Sequence, residues 1–280
     1  MEKYIYHYTS ADSFLNMLHI PNASELQAVS VNKDADYGYY LDFHASDIHV
    51  LNDRFENNMI AYISRKMPDK LKQHAAFCTD VTGRPFVISF CKKSDYLPMW
   101  NIYTDKRRGI CLKFRTDALV EKVNKINDSN FVDIKAEDCA YLSRRQFGSN
   151  VKKIVEKLGQ TADSFTSEND SMPVTKELCD IIMQSAFYKS DYFEYEHEFR
   201  LAAFVSIESK TKAGKYGILQ YYPIKIPLTS LEEIIIGPSD NQDLLEYSVK
   251  QFLHNKNIDR LHNYGIDIKV SCSKLQLRRV

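Results

Sequence analysis

The stretch Phe193-Glu194-Tyr195-Glu196-His197-Glu198-Phe199-Arg200-Leu201 alternates without a break. Read as an extended chain, it puts Phe193, Tyr195, His197, Phe199 and Leu201 on one side and Glu194, Glu196, Glu198 and Arg200 on the other. Same-face neighbours on a strand stand roughly 6.5–7 Å apart, so three carboxylates in a row repel one another unless water or a cation relieves them. The row is either the solvated face of a half-buried strand or the wall of a cleft where positive charge must be stabilised. Arg200 has two roles open to it as well: meeting an anion, or pairing with Glu198 on its own face.

The other residues with chemical potential are scattered, and each has a plain structural reading. His7 sits in an aromatic run, where a histidine is more often a satisfied core or edge residue than a catalyst. Ser89 and Cys91 lie next but one on an apolar segment, and Trp100 and Tyr103 read first as core. Lys106-Arg107-Arg108 is a basic turn that can meet phosphate. His44, His49, Asp42 and Asp47 offer metal-binding side chains, but such loops are more often simply polar. Known motifs are missing. The nine glycines form no G-x-G-x-x-G, G-K-[ST] or G-x-S-x-G, and no H-E-x-x-H or H-x-x-x-H occurs.

These side chains need elements to position them. Tyr4 to Tyr8 reads as a strand, and Thr9 to Asp12 offer capping groups for a helix through Phe14, Leu15, Met17 and Leu18. Leu26 to Val31 reads as a second strand. Asp53 and Glu56 have the capping-box spacing for a helix through Met59 to Ile63. Pro85 to Cys91 is a strand buried on both faces, Pro98 to Tyr103 a short helix, Gly109 to Phe114 a strand and Thr116 to Ile126 a helix. A further strand lies within Phe131 to Tyr141. A polar insertion at about 143–173 includes a helix carrying Lys152, Lys153 and Lys157, and Val174 to Tyr188 reads as an amphipathic helix. The Glu-rich strand continues to Ser206, with Gly217 to Ile226 as its partner across a Lys210–Lys215 linker. Leu231 to Gly237, Asp243 to Leu253 and Ile266 to Ser271 close the chain as strand, helix and strand. The expectation is α+β: a single domain over 1–280 with a mixed, mainly antiparallel β core flanked by helices.

Composition bounds the function. Lys+Arg and Asp+Glu balance at 37 each in 280 residues, so no bulk charge points to nucleic acid or an acidic membrane surface. The six cysteines form no Cys-x-x-Cys pair and read as reduced thiols. Met1-Glu2-Lys3 leads straight into Tyr4-Ile5-Tyr6 with no apolar leader, and no stretch approaches a membrane span. A soluble, cytoplasmic protein without a membrane partner is expected; the oligomeric state is open.

Taken in order, Tyr6-His7-Tyr8-Thr9-Ser10, Leu51-Asn52-Asp53-Arg54-Phe55-Glu56, Ser89-Phe90-Cys91, Met99-Trp100-Asn101-Ile102-Tyr103, Gly109-Ile110-Cys111-Leu112-Lys113-Phe114 and Tyr195-Glu196-His197-Glu198-Phe199-Arg200 resemble a widespread bacterial family, domain of unknown function two-nine-seven-one. The resemblance spans the chain apart from the polar insertion. Phe193 and Phe199 depart from it, standing where the family often has Trp, and keep an aromatic ring. More remotely, the motif order resembles that of ADP-ribosyltransferase folds. That second resemblance implies NAD as substrate, no metal, and a protein or nucleic acid as acceptor. It assigns His7 to the nicotinamide ribose and matches Ser89 to a middle-strand serine. Glu196-His197-Glu198 becomes the Glu-x-Glu element with Glu198 catalytic, although Glu194 competes for that role. Tyr8 and Thr9 resemble the first-strand pattern of DNA- and RNA-targeting members. Trp100 or Tyr103 would stack on nicotinamide or adenine, and Arg54 or Arg200 would meet pyrophosphate. Cleavage of the nicotinamide–ribose bond builds an oxocarbenium-like charge, which Glu198 would stabilise while Glu196 orients or deprotonates the acceptor. A stress, toxin or phage-defence role would suit such an activity. Two other readings stand beside it: a nucleotide- or nucleic-acid-binding module without chemistry, and a metal-dependent hydrolase using the acidic row.

Overall fold

Strand β1 (Tyr4–Thr9) sends alternate side chains into two separate cores. Ile5 joins a large cluster with Phe90, Leu112 and Phe114, and Tyr8 joins a smaller one with Cys91, Met99 and Trp100. In this computed structural model, residues 3–32, 35–51, 65, 84–105, 107–127, 131–163, 180, 183–205, 209–214 and 217–275 are described. Ser10 caps α1 (Ala11–Met17), its hydroxyl accepting from the Ser13 amide at 3.0 Å.

The remaining elements are β2 (Leu18–His19), α2 (Ala23–Asn32), β3 (Tyr40–Asp47), β4 (Arg84–Cys91), α3 (Leu97–Tyr103), β5 (Ile110–Arg115), α4 (Thr116–Ile126), β6 (Phe131–Asp138), β7 (Ala140–Leu142), α5 (Arg144–Asp163), β8 (Tyr188–Ser190), β9 (Glu198–Val205), β10 (Lys210–Gly214), β11 (Gly217–Pro227), β12 (Leu231–Ile236), α6 (Gln242–Asn255) and β13 (Lys269–Cys272). An eleven-stranded sheet runs β10-β11-β3-β4-β1-β5-β12-β13, with β2 on β3 and with β9, then β6, on β4. Its pairings are antiparallel apart from β12 with β13, which α6 connects. The protein is α+β, with a mixed, mainly antiparallel sheet flanked by helices. α4 illustrates the flanking: Ala118, Leu119, Val123 and Ile126 turn inward at helical spacing. No helix among the described residues is long and apolar enough to cross a membrane.

One irregularity in this sheet matters for the site. β4 pairs with β9 along its whole length on one side, but its other side is shared. Phe86 and Val87 meet Asp47 and Ser46 of β3, and Cys91 meets Tyr6 of β1. β1 is paired with β5 along its whole length, Tyr4 to Thr9, and meets β4 only at Tyr6. The sheet therefore forks beside Ile88, Ser89 and Phe90.

Three sequence expectations are corrected. Leu26 to Val31 is helical, within α2: Asn22 Oδ1 accepts from the amides of Ser24 and Glu25 while Glu25 accepts from the Asn22 amide, a capping arrangement that overrides the β-branched residues. The Glu-rich segment is not one strand, since Asp191–Glu196 is a 3₁₀ turn and β9 starts at Glu198. Gly217 to Ile226 does not pair with β9. It lies between β10, made from the expected linker, and β3. The expected helix from Asp53 to Ile63 and most of that from Val174 to Tyr188 fall outside the described residues.

Gly109 is tightly packed where β5 meets the end of β1. A Cβ there would stand 2.5 Å from the Thr9 carbonyl oxygen and 2.6 Å from Thr104 Cβ. Gly109→Ala is expected to cost about 1–3 kcal/mol of stability by forcing β1 and β5 to shift, measurable by urea unfolding. An unchanged midpoint would show that the backbone yields freely here.

Candidate functional site

The fork opens into a cleft of about 430 Å³, within the range of small-molecule sites. His7 stands at its apex. Along the shared edge of β4, Val87 is met by β3 and Cys91 by β1, while between them the Ser89 carbonyl is met by the His7 ring, Nδ1 to O at 3.0 Å. A carbonyl only accepts, so Nδ1 carries the proton and Nε2 is left as an acceptor. The ring is held edge-on to Phe43 and Phe90, at centroid distances of 4.9 and 5.9 Å. Burial pushes its pKa down despite the bond to Ser89, which favours the neutral imidazole.

The acidic wall is built by a single backbone feature. His197 adopts a left-handed conformation, φ 45° and ψ 49°, that ends the 3₁₀ turn and starts β9. Such a conformation costs a non-glycine residue roughly 1–2 kcal/mol. It is held by the His197 amide donating to Glu194 O at 3.1 Å and by the His197 carbonyl accepting from the Lys92 amide at 2.9 Å. The kink swings Glu196 and Glu198 onto one ammonium. Lys189 Nζ, delivered by β8, donates to Glu196 Oε2 at 2.5 Å and to Glu198 Oε2 at 2.6 Å. β8 is itself fixed by parallel pairing with β7.

The rest of the wall completes a charge-balanced quartet. Arg200 donates through Nε to Glu198 Oε1 at 2.7 Å and through a terminal nitrogen to Glu198 Oε2 at 3.1 Å. Its other terminal nitrogen donates to the Ala186 carbonyl at 2.7 Å. Tyr103, on α3, donates to Glu196 Oε1 at 3.2 Å, and the Glu198 amide donates to the Tyr141 hydroxyl at 2.6 Å. Burial raises the Glu198 pKa, but Arg200 and Lys189 outweigh it and hold the carboxyl at about 2. Burial lowers the Lys189 pKa, and the two carboxylates more than reverse that. Burial and the same carboxylates push the Tyr103 hydroxyl up, so it stays a donor.

The structure gathers part of the expected set. His7, Thr9, Ser89, Tyr103, Glu196, Glu198 and Arg200 all line the cleft. Tyr8 lines it too, but its hydroxyl is engaged in structure, donating to Lys93 O at 2.8 Å and accepting from the Tyr96 amide at 2.9 Å. Trp100 is corrected: it is fully buried against Tyr8 and Gly237, with its indole N–H bonded to Asp95 at 2.9 Å, so no ligand reaches its face. Glu194 is exposed and outside the cleft lining, which removes it from the competition. The metal reading of the loop fails on alternation, because β3 places Asp42 and His44 on one face and Asp47 on the other. Arg54 lies outside the described residues. Sequence reasoning missed Lys189 and Lys212. Lys189 had one signal, a lone cation seven residues before Glu196 in an acidic neighbourhood; Lys212 was taken for part of a linker.

No curated protein and no solved structure matches the chain. One family model does, over a segment that carries Tyr103, Lys189, Glu196, Glu198 and Arg200 but not His7 or Ser89. The family resemblance read from the motifs is borne out there: residues 99–201 match DUF2971, described as a protein of unknown function.

Proposed function

We propose that the cleft binds NAD and that the protein breaks its nicotinamide–ribose bond on an ADP-ribosyltransferase-like fold, passing ADP-ribose to a macromolecule or to water. The observation that carries this reading is convergence. His7 on β1, Ser89 on β4 and the carboxylates of Glu196 and Glu198 come from distant parts of the chain and line one cleft. In the reaction the C1′–N bond breaks with its electron pair leaving on nicotinamide, and an acceptor oxygen or nitrogen forms the new bond to C1′. Positive charge builds on the ribose in between, and buried carboxylates stabilise it most where water is scarce. The acceptor's proton goes to Glu196, which Tyr103 and Lys189 hold in place. Neutral His7 offers Nε2 to a ribose hydroxyl.

A second reading has its own support. Both oxygens of Glu198 are engaged by Arg200 and Lys189 without any ligand, and a nucleotide-binding module with no chemistry would be built the same way. Nicotinamide release by the purified protein, with and without cell lysate, separates the two. Turnover is expected from the wild type, with a loss of at least about 100-fold in Glu198→Gln; dependence on lysate would identify transfer. NAD binding without release under either condition would replace the enzyme by the binding module.

A further inference from the structure

The two ends of the cleft differ in how their cations are used. At the quartet end, Lys189 and Arg200 are each paired with glutamates. At the other end Lys212, on the edge strand β10, lines the cleft with His44 of β3. Its Nζ lies 3.3 Å from His44 Nδ1 and 5.2 Å from the centre of the Tyr221 ring, and neither group carries negative charge. Among the described residues no carboxylate stands within ion-pair distance of it. Because an ammonium only donates, His44 Nδ1 is the acceptor and Nε2 bears the proton. An ammonium and an imidazole N–H thus stand side by side on one wall, packed on Tyr221, with His44 and Tyr221 ring centroids 4.0 Å apart. A half-buried cation with no counter-charge among the described residues favours the arrival of an anion.

We infer that Lys212 and His44 form an anion subsite for the phosphate groups of the ligand. The proposed NAD reading supplies only the identity of that ligand; the charge layout stands without it. A phosphate-bearing ligand would meet the unbalanced ammonium of Lys212 at one end and the charge-balanced quartet at the other. The same phosphate chemistry occurs in a free nucleotide diphosphate and in a polynucleotide backbone.

The test is calorimetry on the full chain at low ionic strength, with inorganic pyrophosphate, ADP-ribose and a short oligothymidylate as probes. Lys212→Met is expected to weaken phosphate-bearing probes by about tenfold or more, the effect of one charge-assisted hydrogen bond. Lys210→Met, an exposed neighbour on the same strand outside the cleft lining, should change them less than about twofold. Tighter binding of ADP-ribose identifies a nucleotide, and tighter binding of oligothymidylate a polynucleotide; either upholds the subsite when the Lys212 dependence holds. No binding of any probe by the wild type, or equal losses in the two variants, overturns it. Unchanged melting of both variants confirms that the edge strand is intact. Absence of nicotinamide release would sink the enzymatic reading alone, because binding of pyrophosphate that depends on Lys212 requires no turnover.

Discussion

Replacing Arg200 with methionine is expected to cost about 3–5 kcal/mol of stability, a large part of what holds a domain folded. Arg200 is 1% exposed and donates to both oxygens of Glu198 and to the Ala186 carbonyl. Without it, two buried carboxylates share one ammonium and a buried carbonyl loses its donor. Arg200→Lys should recover only part of the loss, since a single ammonium cannot reproduce the planar fork on three acceptors. Removing Glu198 and Arg200 together, as a double methionine variant, should cost less than the two single losses combined, because no orphaned charge is left between them. Urea unfolding of the wild type, the three single variants and the double variant measures this. A loss below about 1 kcal/mol for Arg200→Met would mean that water relieves the site and that the quartet contributes little to the fold.

Acidification is expected to remove stability in two stages. The first comes from His7, whose pKa burial lowers in the folded state. The unfolded chain takes up a proton below about pH 6.5 that the folded chain refuses, so stability falls as pH drops from there toward the folded value. His44 and His197 are lowered too and act in the same direction from more exposed positions. The second stage belongs to Glu198, held at about 2 against 4.5 for a free glutamate. Its contribution, of order 3 kcal/mol, is complete above about pH 4.5 and is lost as pH falls toward 2. Melting temperatures between pH 8 and pH 3 should therefore decline below 6.5 and more steeply below 4.5. His7→Gln should flatten the upper part of the curve and Glu198→Gln the lower. A wild-type melting temperature constant from pH 7 to pH 4 would contradict the burial of His7 as a neutral ring.

Much of the scaffold could be read from residue order. The apolar density of Pro85 to Cys91 and of Leu231 to Ile236 leaves few alternatives to buried strands, and helical spacing marks α4 and α6. What escaped was set by conformation and long-range packing. A strand and a strand interrupted by one left-handed residue have the same alternation, so His197 gave no warning that Glu196 and Glu198 would meet on Lys189. Asn22 and Glu25 overruled β-branched residues by capping, a local effect that counts for more than propensity in a short segment. Whether an aromatic residue is wall or core depends on what lies over it, and Trp100 lies beneath Tyr8 and Gly237 while Tyr103 reaches the cleft. Lys212 was hidden because its strand exists only through pairing with β11. The pairing of Arg200 with Glu198, one of two roles the spacing allowed, is the one realised.

The fork at β4 has a mechanical meaning. From one end of its shared edge hang β1, β5, β12 and β13, and from the other end β3 with β2, β11 and β10. The two wings share a hydrophobic core through Phe43, Phe90 and Phe114, yet no rung of backbone hydrogen bonds joins β1 to β3 among the described residues. Apolar contact resists separation but tolerates sliding, whereas a hydrogen-bonded ladder fixes register. A ligand gripped by His7 on one wing and by Lys212 on the other would act as the missing rung, so that occupancy itself sets the shear stiffness of the sheet.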